Sequence, residues 1–259
     1  MEALSAKDRI IFPLDVSSSR EALELVKELA DHVGVFKIGL ELHHAMTAEV
    51  LATEDVDQAI VHLRVQRELY HLFGCGSWGS GFWDGKFDDI PNTVGAAASV
   101  VGQRLQMRMF NVHASCGIDA MMAAVKRKGC SLALAVTVLT SREENDGNLT
   151  FNAPTKAKVL QFAREAKLAG MDGIVCSPQE LAVIRKRPEL SGLLTVVPGI
   201  QAEWTAANDQ KRVMTPAEAV KAGADFIVVG RSIRDFPEKF SGPAEAADAI
   251  AEQIENALA

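Results

Sequence analysis

The sequence predicts an α/β fold, a single-domain (β/α)8 TIM barrel spanning residues 1–259. Three observations lead there. Short β-branched or apolar runs alternate strictly with longer amphipathic ones, and eight such pairs fit in about 250 residues. No linker-like stretch divides the chain into halves. The first strand is followed by Asp15-Val16-Ser17-Ser18, without the glycine fingerprint expected of a doubly wound open sheet, the main alternative.

In order, Arg9–Val16 (RIIFPLDV) reads as strand one and Ser18–Asp31 as a helix, with Ala22, Leu25, Val26 and Leu29 at helical spacing. Val35–Leu40 (VFKIGL) is strand two, and a helix follows from about Glu41. Residues 42–81 form an atypical, extended connection to strand three. Within it Gln58–Phe73 has helical spacing, and the glycine-rich Gly74–Gly81 reads as a loop rather than a phosphate cradle, lacking both Gly-Lys-Ser and a clean GxGxxG. Strand three is Phe82–Phe87; Pro91 and Asn92 suit a turn and helix start. Met107–Ser115 is strand four, Gly117–Lys128 a helix closed by Gly129, and Leu132–Thr140 strand five. Strand five is nearly all apolar, as a strand covered on both faces should be. Ser141–Thr150 reads as a polar loop and Pro154–Ala169 as a helix. Gly173–Ser177 is strand six, Pro178–Lys186 a helix, and Leu193–Ile200 strand seven. A long polar loop, Gln201–Met214, leads to a helix at Thr215–Ala222. Ala224–Ile233 is strand eight and Pro243–Leu258 the last helix.

Composition narrows the function. The net charge is -7, with 27 Lys and Arg against 34 Asp and Glu. That excludes a protein that coats nucleic acid through clustered positive charge. No stretch is long and apolar enough to span a bilayer, and Met1–Arg9 is polar, without the apolar run of a signal peptide. Cys75, Cys116, Cys130 and Cys176 share no metal-ligand spacing and read as free thiols in a reducing cytoplasm, with a disulfide as the alternative. The histidine pair His43-His44 is not part of an HExxH motif or a Cys/His cluster, so no metal is expected.

Barrel enzymes draw reactive groups from the carboxyl ends of strands. Asp15 ends strand one, Lys37 lies in strand two, and Asp84 and Lys86 lie in strand three, with Asp88 and Asp89 just beyond. Thr140 ends strand five, and Gly230 and Arg231 end strand eight. Period-two alternation puts Asp84 and Lys86 on one face of their strand. Taken singly, each has a plain explanation. Asp-x-Lys can be a solvated surface strand, Lys37 can snorkel, Asp15 can cap a helix, and Arg231 can pair at the rim. Convergence of alternating charges on one mouth argues for a site, because an unpaired buried charge costs several kcal/mol. Gly230 lets backbone N–H groups approach an anion, and Arg231 offers a planar, permanently charged fork, so the end of strand eight reads as a phosphate grip.

Together these motifs resemble the orotidine 5'-phosphate decarboxylase family. The resemblance rests on Leu14-Asp15, Lys37-Ile38-Gly39-Leu40-Glu41, Asp84 to Thr93 (DGKFDDIPNT), Asn111-Val112-His113-Ala114-Ser115 and Val136 to Ser141. It continues through Val175 to Glu180, Val197-Pro198-Gly199-Ile200, Asp209 to Pro216 and Val229-Gly230-Arg231. It implies a homodimeric barrel that converts orotidine 5'-phosphate to UMP and CO2, the last step of de novo pyrimidine nucleotide synthesis, without metal or organic cofactor. By position, Lys86 resembles the proton donor to pyrimidine C6, and Asp84 the acid beside the departing carboxylate. Asp89 resembles the acid that enters the partner's site, and Lys37 a member of the charge array that also contacts ribose. Asp15, Ile90, Thr93, Thr140 and Pro198 resemble substrate contacts, and Gln210, Gly230 and Arg231 the phosphate grip. Gln201 departs from the arginine frequent in bacterial relatives after Gly199-Ile200. Two rival readings are a magnesium-dependent phosphosugar decarboxylase or aldolase on the same scaffold, and a non-catalytic nucleotide-binding barrel. The Ile90-Pro91-Asn92-Thr93 extension and Gln210 favour the nucleotide enzyme over the first. Lys86 between two acids favours catalysis over the second.

Overall fold

The computed structural model describes residues 4–74, 79–142, 144–205 and 214–259, with the backbone alone at 144–147. Eight parallel strands close into a barrel in sequence order. They are β1 (Ile10–Pro13), β2 (Val35–Ile38), β3 (Gly81–Phe87), β4 (Met109–His113), β5 (Leu132–Val136), β6 (Gly173–Val175), β7 (Leu194–Val197) and β8 (Phe226–Val228). Closure is made by β8 on β1, where Ile227 faces Ile10 and Val228 faces Ile11. Around them run α1 (Ser19–Leu29), α2 (Leu40–Leu51), α3 (Val56–Gly74), α4 (Pro91–Ser99), α5 (Ile118–Arg127), α6 (Glu144–Phe151), α7 (Thr155–Leu168), α8 (Pro178–Arg185), α9 (Pro216–Lys221), α10 (Arg231–Arg234) and α11 (Pro243–Leu258). No helix among the described residues is long and apolar enough to cross a membrane.

Two apolar layers result from the alternation of side chains along each strand. Ile11, Val35, Phe82, Met109, Leu134, Leu194, Val196 and Phe226 point inward and fill the barrel. Their strand neighbours, such as Ile10, Phe12, Phe36, Phe110 and Ala133, point outward into the larger core beneath the helices. Burial on both faces explains why the strands read as nearly continuous apolar runs.

Two sequence expectations change. First, the strands are shorter than their apolar runs at the carboxyl end. Asp15 and Thr140 lie past β1 and β5 rather than ending them, and β8 stops at Val228, so that Arg231 opens the short α10. Beyond the rim the chain leaves the ladder for the mouth. Second, the polar stretch 141–150 is not all loop but contains α6. Its periodicity is weak, yet Phe151 stacks edge-on against Phe162 of α7, with centroids 5.5 Å apart. Within the 42–81 connection the helices expected from about Glu41 and over Gln58–Phe73 are present as α2 and α3. α3 docks by burying Leu69 and Phe73 in the core, and beside them Gln66 Nε2 donates to the Met46 carbonyl (2.7 Å) and Lys27 pairs with Glu68 (2.6 Å). Of the glycine-rich stretch at 74–81, residues 75–78, with Cys75 among them, lie outside the described residues.

Helix α4 runs on into a π-helical turn, Val100–Arg104. There Gly102 sits against the end of α5, and a Cβ on it would lie 2.1 Å from the Lys128 carbonyl oxygen. Backbone cannot yield as a flexible side chain would. Gly102→Ala is therefore expected to cost about 1–3 kcal/mol through overpacking. Thermal unfolding should show the melting temperature falling by roughly 2–10 °C; an unchanged value would show that the α4–α5 contact can relax.

Candidate active site

The inward parity that packs the barrel also builds the floor of its mouth. Two residues above Ile11, Val35, Phe82, Met109 and Leu134 come Pro13, Lys37, Asp84, Asn111 and Val136, and all five line a cleft of about 320 Å³. Val175, Val196 and Val228 continue this ring on β6, β7 and β8. The floor is polar on the β2–β4 side and apolar on the other, a division suited to a flat ring with one polar edge.

The polar side is a chain of alternating charge. Lys37 Nζ lies 3.3 Å from Asp15 Oδ1 and 3.2 Å from Asp84 Oδ2. Lys86 Nζ donates to Asp84 Oδ1 at 2.7 Å. The side chains of Lys37 and Asp84 are each 12% exposed, Lys86 is 32% exposed and Asp15 52%. Removing Asp84 and Lys37 from water is tolerable only because each meets opposite charge, and Asp84 meets it on both oxygens. Gly39 keeps the chain intact sterically, since a Cβ there would lie 3.2 Å from Lys37 Nζ and 3.6 Å from Asp15 Oδ1.

Asp84 and Lys86 do face the same cleft, but regular pleating accounts only for Asp84 and does not bring Lys86 there. The β3–β4 register runs from Trp83 opposite Phe110 to Phe87 opposite Val112, so β3 carries four steps where β4 carries two. The excess forms a bulge in which Lys86 takes a left-handed backbone conformation, φ 48°. Such a conformation costs a non-glycine residue about 1–2 kcal/mol. Strain of this kind persists where surrounding contacts dictate it. One such contact is Asn111, whose Oδ1 accepts the Lys86 backbone N–H at 2.8 Å, while its Nδ2 donates to Asp84 Oδ1 at 2.6 Å.

Asn111 is the site residue that sequence reasoning missed. Its signal was present, as a lone amide between Phe110 and Val112 in an apolar strand. Parity from Met109 would have placed it on the cleft floor.

The cleft also gathers Thr140, Pro198, Gly230 and Arg231, as expected, together with Gln201 and Ile200. Gly230 has a packing role as well as any ligand role, because a Cβ on it would lie 2.8 Å from Pro13 Cγ. Gln201 is buried, and its backbone N–H bonds to the Met214 carbonyl at 3.1 Å, bracketing residues 206–213. Gln210 lies outside the described residues. On the near side of that gap, Trp204 Nε1 donates to the Ser232 carbonyl (3.0 Å) and its ring packs on Phe240. The loop stem is thereby tied to the segment after β8.

Three expected residues do not reach this cleft. Asp89, Ile90 and Thr93 sit exposed on the β3–α4 turn and first helical turn, with Ile90 65% accessible. Asp89 Oδ1 accepts the Ile90 N–H at 2.6 Å. Nearby, Asp88 accepts a hydrogen bond from Ser115 Oγ at 3.3 Å. Burial holds the His113 imidazole below its usual 6.5, with Asp88 opposing the shift and Lys86 adding to it. Burial and Asp88 push the Cys116 thiol up to about 11, so it is a poor nucleophile. Among the described residues no three His, Cys, Asp or Glu side chains are grouped to hold a metal ion.

A family model described as orotidine 5'-phosphate decarboxylase / HUMPS family matches residues 8–250. A protein of Heliobacterium modesticaldum named orotidine 5'-phosphate decarboxylase is 39% identical over 267 aligned positions, covering 99% of each chain. One of the same name from Geobacter sulfurreducens is 39% identical over 259 positions, covering 96% of this chain and 97% of the relative. Among solved structures, orotidine 5'-phosphate decarboxylase from Lactobacillus acidophilus superposes with a TM-score of 0.69 at 26% identity, over 95% of this chain and 98% of that one. The enzyme of that name from Pyrococcus horikoshii gives 0.68 at 25% identity, over 95% and 99%.

The depressed His113 pKa carries a stability consequence. Unfolded, the imidazole binds its proton near pH 6.5; folded, it does so only at lower pH. Unfolding therefore takes up a proton below pH 6.5, and the folded state loses stability as the pH falls through that window. His113→Gln is expected to flatten the decline in melting temperature between pH 7 and pH 5. An unaltered slope would show that other groups set it.

Proposed function

The chain belongs to the orotidine 5'-phosphate decarboxylase / HUMPS family, and we propose that its cleft converts orotidine 5'-phosphate to UMP and CO2 with Lys86 as the acid. This is the last step of de novo pyrimidine nucleotide synthesis. The observation that carries the reading is the alternating chain Asp15, Lys37, Asp84 and Lys86 along one side of a cleft whose β5–β8 side carries Val136, Val175, Val196 and Val228.

The chemistry follows from the charges. Cleavage of the C6–carboxylate bond leaves its electron pair on a ring carbon whose lone pair lies in the ring plane, where the ring cannot delocalise it. A fixed ammonium beside that carbon stabilises the developing charge, and Lys86 Nζ then gives C6 a proton; solvent restores the lysine. Asp84 holds the ammonium and faces the departing carboxylate. Any help from their repulsion adds to, and does not replace, stabilisation of the carbanion. Lys37 and Asp15 meet the ribose end, while Thr140 and Pro198 bound the pyrimidine. Gly230 and Arg231, with Gln210, take the phosphate, whose binding energy is realised at a distance from the reacting carbon. With Gln201 in the cleft, that grip lacks a second fixed cation at this position.

Asp89, Ile90 and Thr93 lie outside their own cleft on an exposed turn. We assign them to the site of a second subunit in a homodimer, with Asp89 completing the partner's charge chain. The exposed Ile90 and Leu40 near the mouth support that assembly. The reducing, cytoplasmic location read from the cysteines fits Cys116, Cys130 and Cys176 as free thiols. No organic cofactor or metal enters the proposed steps, since side chains supply both the charge and the proton.

Purified protein is expected to consume orotidine 5'-phosphate in the presence of EDTA, followed by the loss of absorbance on decarboxylation. Lys86→Ala should keep UMP binding within a few-fold and lose at least about 100-fold in kcat, the lower range for a general acid. Activity that depends on added magnesium would point instead to the phosphosugar reading, and intact turnover in Lys86→Ala would remove the lysine's role. Mixing inactive Asp89→Ala and Lys86→Ala proteins should restore part of the activity through hybrid dimers. Verified hybrids without recovery would exclude a shared site.

A further inference from the structure

We propose that Asn111 is a positioning residue for the decarboxylation, aiming the Lys86 ammonium by fixing both the Asp84 carboxylate and the Lys86 backbone. This rests on the decarboxylase reading above. Asn111 is 1% exposed in the middle of β4. Both its side-chain bonds cross to β3, where Nδ2 donates to Asp84 Oδ1 (2.6 Å) and Oδ1 accepts the Lys86 N–H (2.8 Å).

The amide orientation is dictated by its partners. A carboxylate can only accept and a backbone N–H can only donate, so exchanging Oδ1 and Nδ2 would set acceptor on acceptor and donor on donor. Asn111 and Lys86 Nζ share one oxygen of Asp84, and Lys37 approaches the other. Asn111 also occupies the bulge, in the place where the β3–β4 ladder skips. One side chain therefore fixes the base of the lysine and the anion that receives its tip. It does so without charge. An aspartate here would repel Asp84, and a lysine would compete with Lys86 for the same oxygen. Asn111 moves no proton; it acts through the two residues that flank the reacting carbon.

The test is steady-state kinetics on Asn111→Ala and Asn111→Asp beside the wild type, with melting temperatures as controls. Asn111→Ala should lose about 100-fold in kcat, the scale of a misplacement of about 1 Å, while KM changes less than about threefold. Asn111→Asp keeps the shape and the acceptor for the Lys86 N–H but places a second carboxyl against Asp84. Two carboxyls that close share a proton. The groups facing this pair are Lys86 on β3, Lys37 on β2 and His113 farther along β4. Lowering the pH from 8 to 5.5 should restore the shared hydrogen bond, so the deficit of Asn111→Asp relative to wild type should narrow at least fivefold. A merely structural residue would show its loss in melting temperature and in KM, with no deficit in kcat for that proton to relieve. The proposal is overturned by kcat within threefold of wild type in both variants, by a loss expressed wholly in KM, or by a pH-independent deficit in Asn111→Asp. Should Asn111→Ala fail to fold, the pH profile of Asn111→Asp decides alone. A wild type without turnover on orotidine 5'-phosphate removes the decarboxylase reading and this role together; an active wild type beside unaffected variants removes only the role.

Discussion

Everything at the mouth of this barrel depends on one buried carboxylate. Asp84 sits where water cannot solvate it fully, and three donors approach it instead: Lys86 and Asn111 on Oδ1, Lys37 on Oδ2. Each donor comes with its own requirement. Lys37 needs Asp15 as a second partner and Gly39 as a gap. Lys86 needs a backbone bent out of the strand, and Asn111 needs its amide seated between two strands. The apolar walls from β5 to β8 make these attractions stronger than they would be in water, and they leave room for a ring whose chemistry is directed at the charged edge.

The fold was legible because parallel strands buried on both faces cannot hide. Apart from the charged third strand, each appeared as an apolar run, and the order of elements required no long-range inference. The ends were less legible. A run such as LALAVTVLT continues to look like strand past Val136, since apolar residues also line the mouth once the ladder has stopped. α6 was missed for the opposite reason: its sequence is polar, and the contacts that hold it centre on Phe151, which meets Phe162 and Lys158 of α7 and Arg142 before α6.

At the site, charge carried the information. Lysines and aspartates at strand ends are conspicuous because their burial is costly, so Lys37, Asp84 and Lys86 were found without coordinates. Asn111 was not, since a neutral amide inside an apolar strand raises no comparable alarm, and its importance lies in two partners 25 and 27 residues away in sequence. The bulge was equally invisible. Simple alternation placed Lys86 in the cleft, while the actual path inserts extra residues and a left-handed turn. Asp89, Ile90 and Thr93 could be read as functional only through resemblance, because nothing within one subunit gives them a ligand to touch.

The bulge in β3 sets robustness against purpose. A straight, fully laddered strand would be the more comfortable state for this stretch, and selection for thermal endurance alone would reward changes that iron it flat. Such a barrel would fold well, keep its core, and present a lysine that points a few ångströms astray. Directed stabilisation of this protein should therefore leave the rim of β3 untouched and look for its gains in the helical shell, where regularity and activity do not compete.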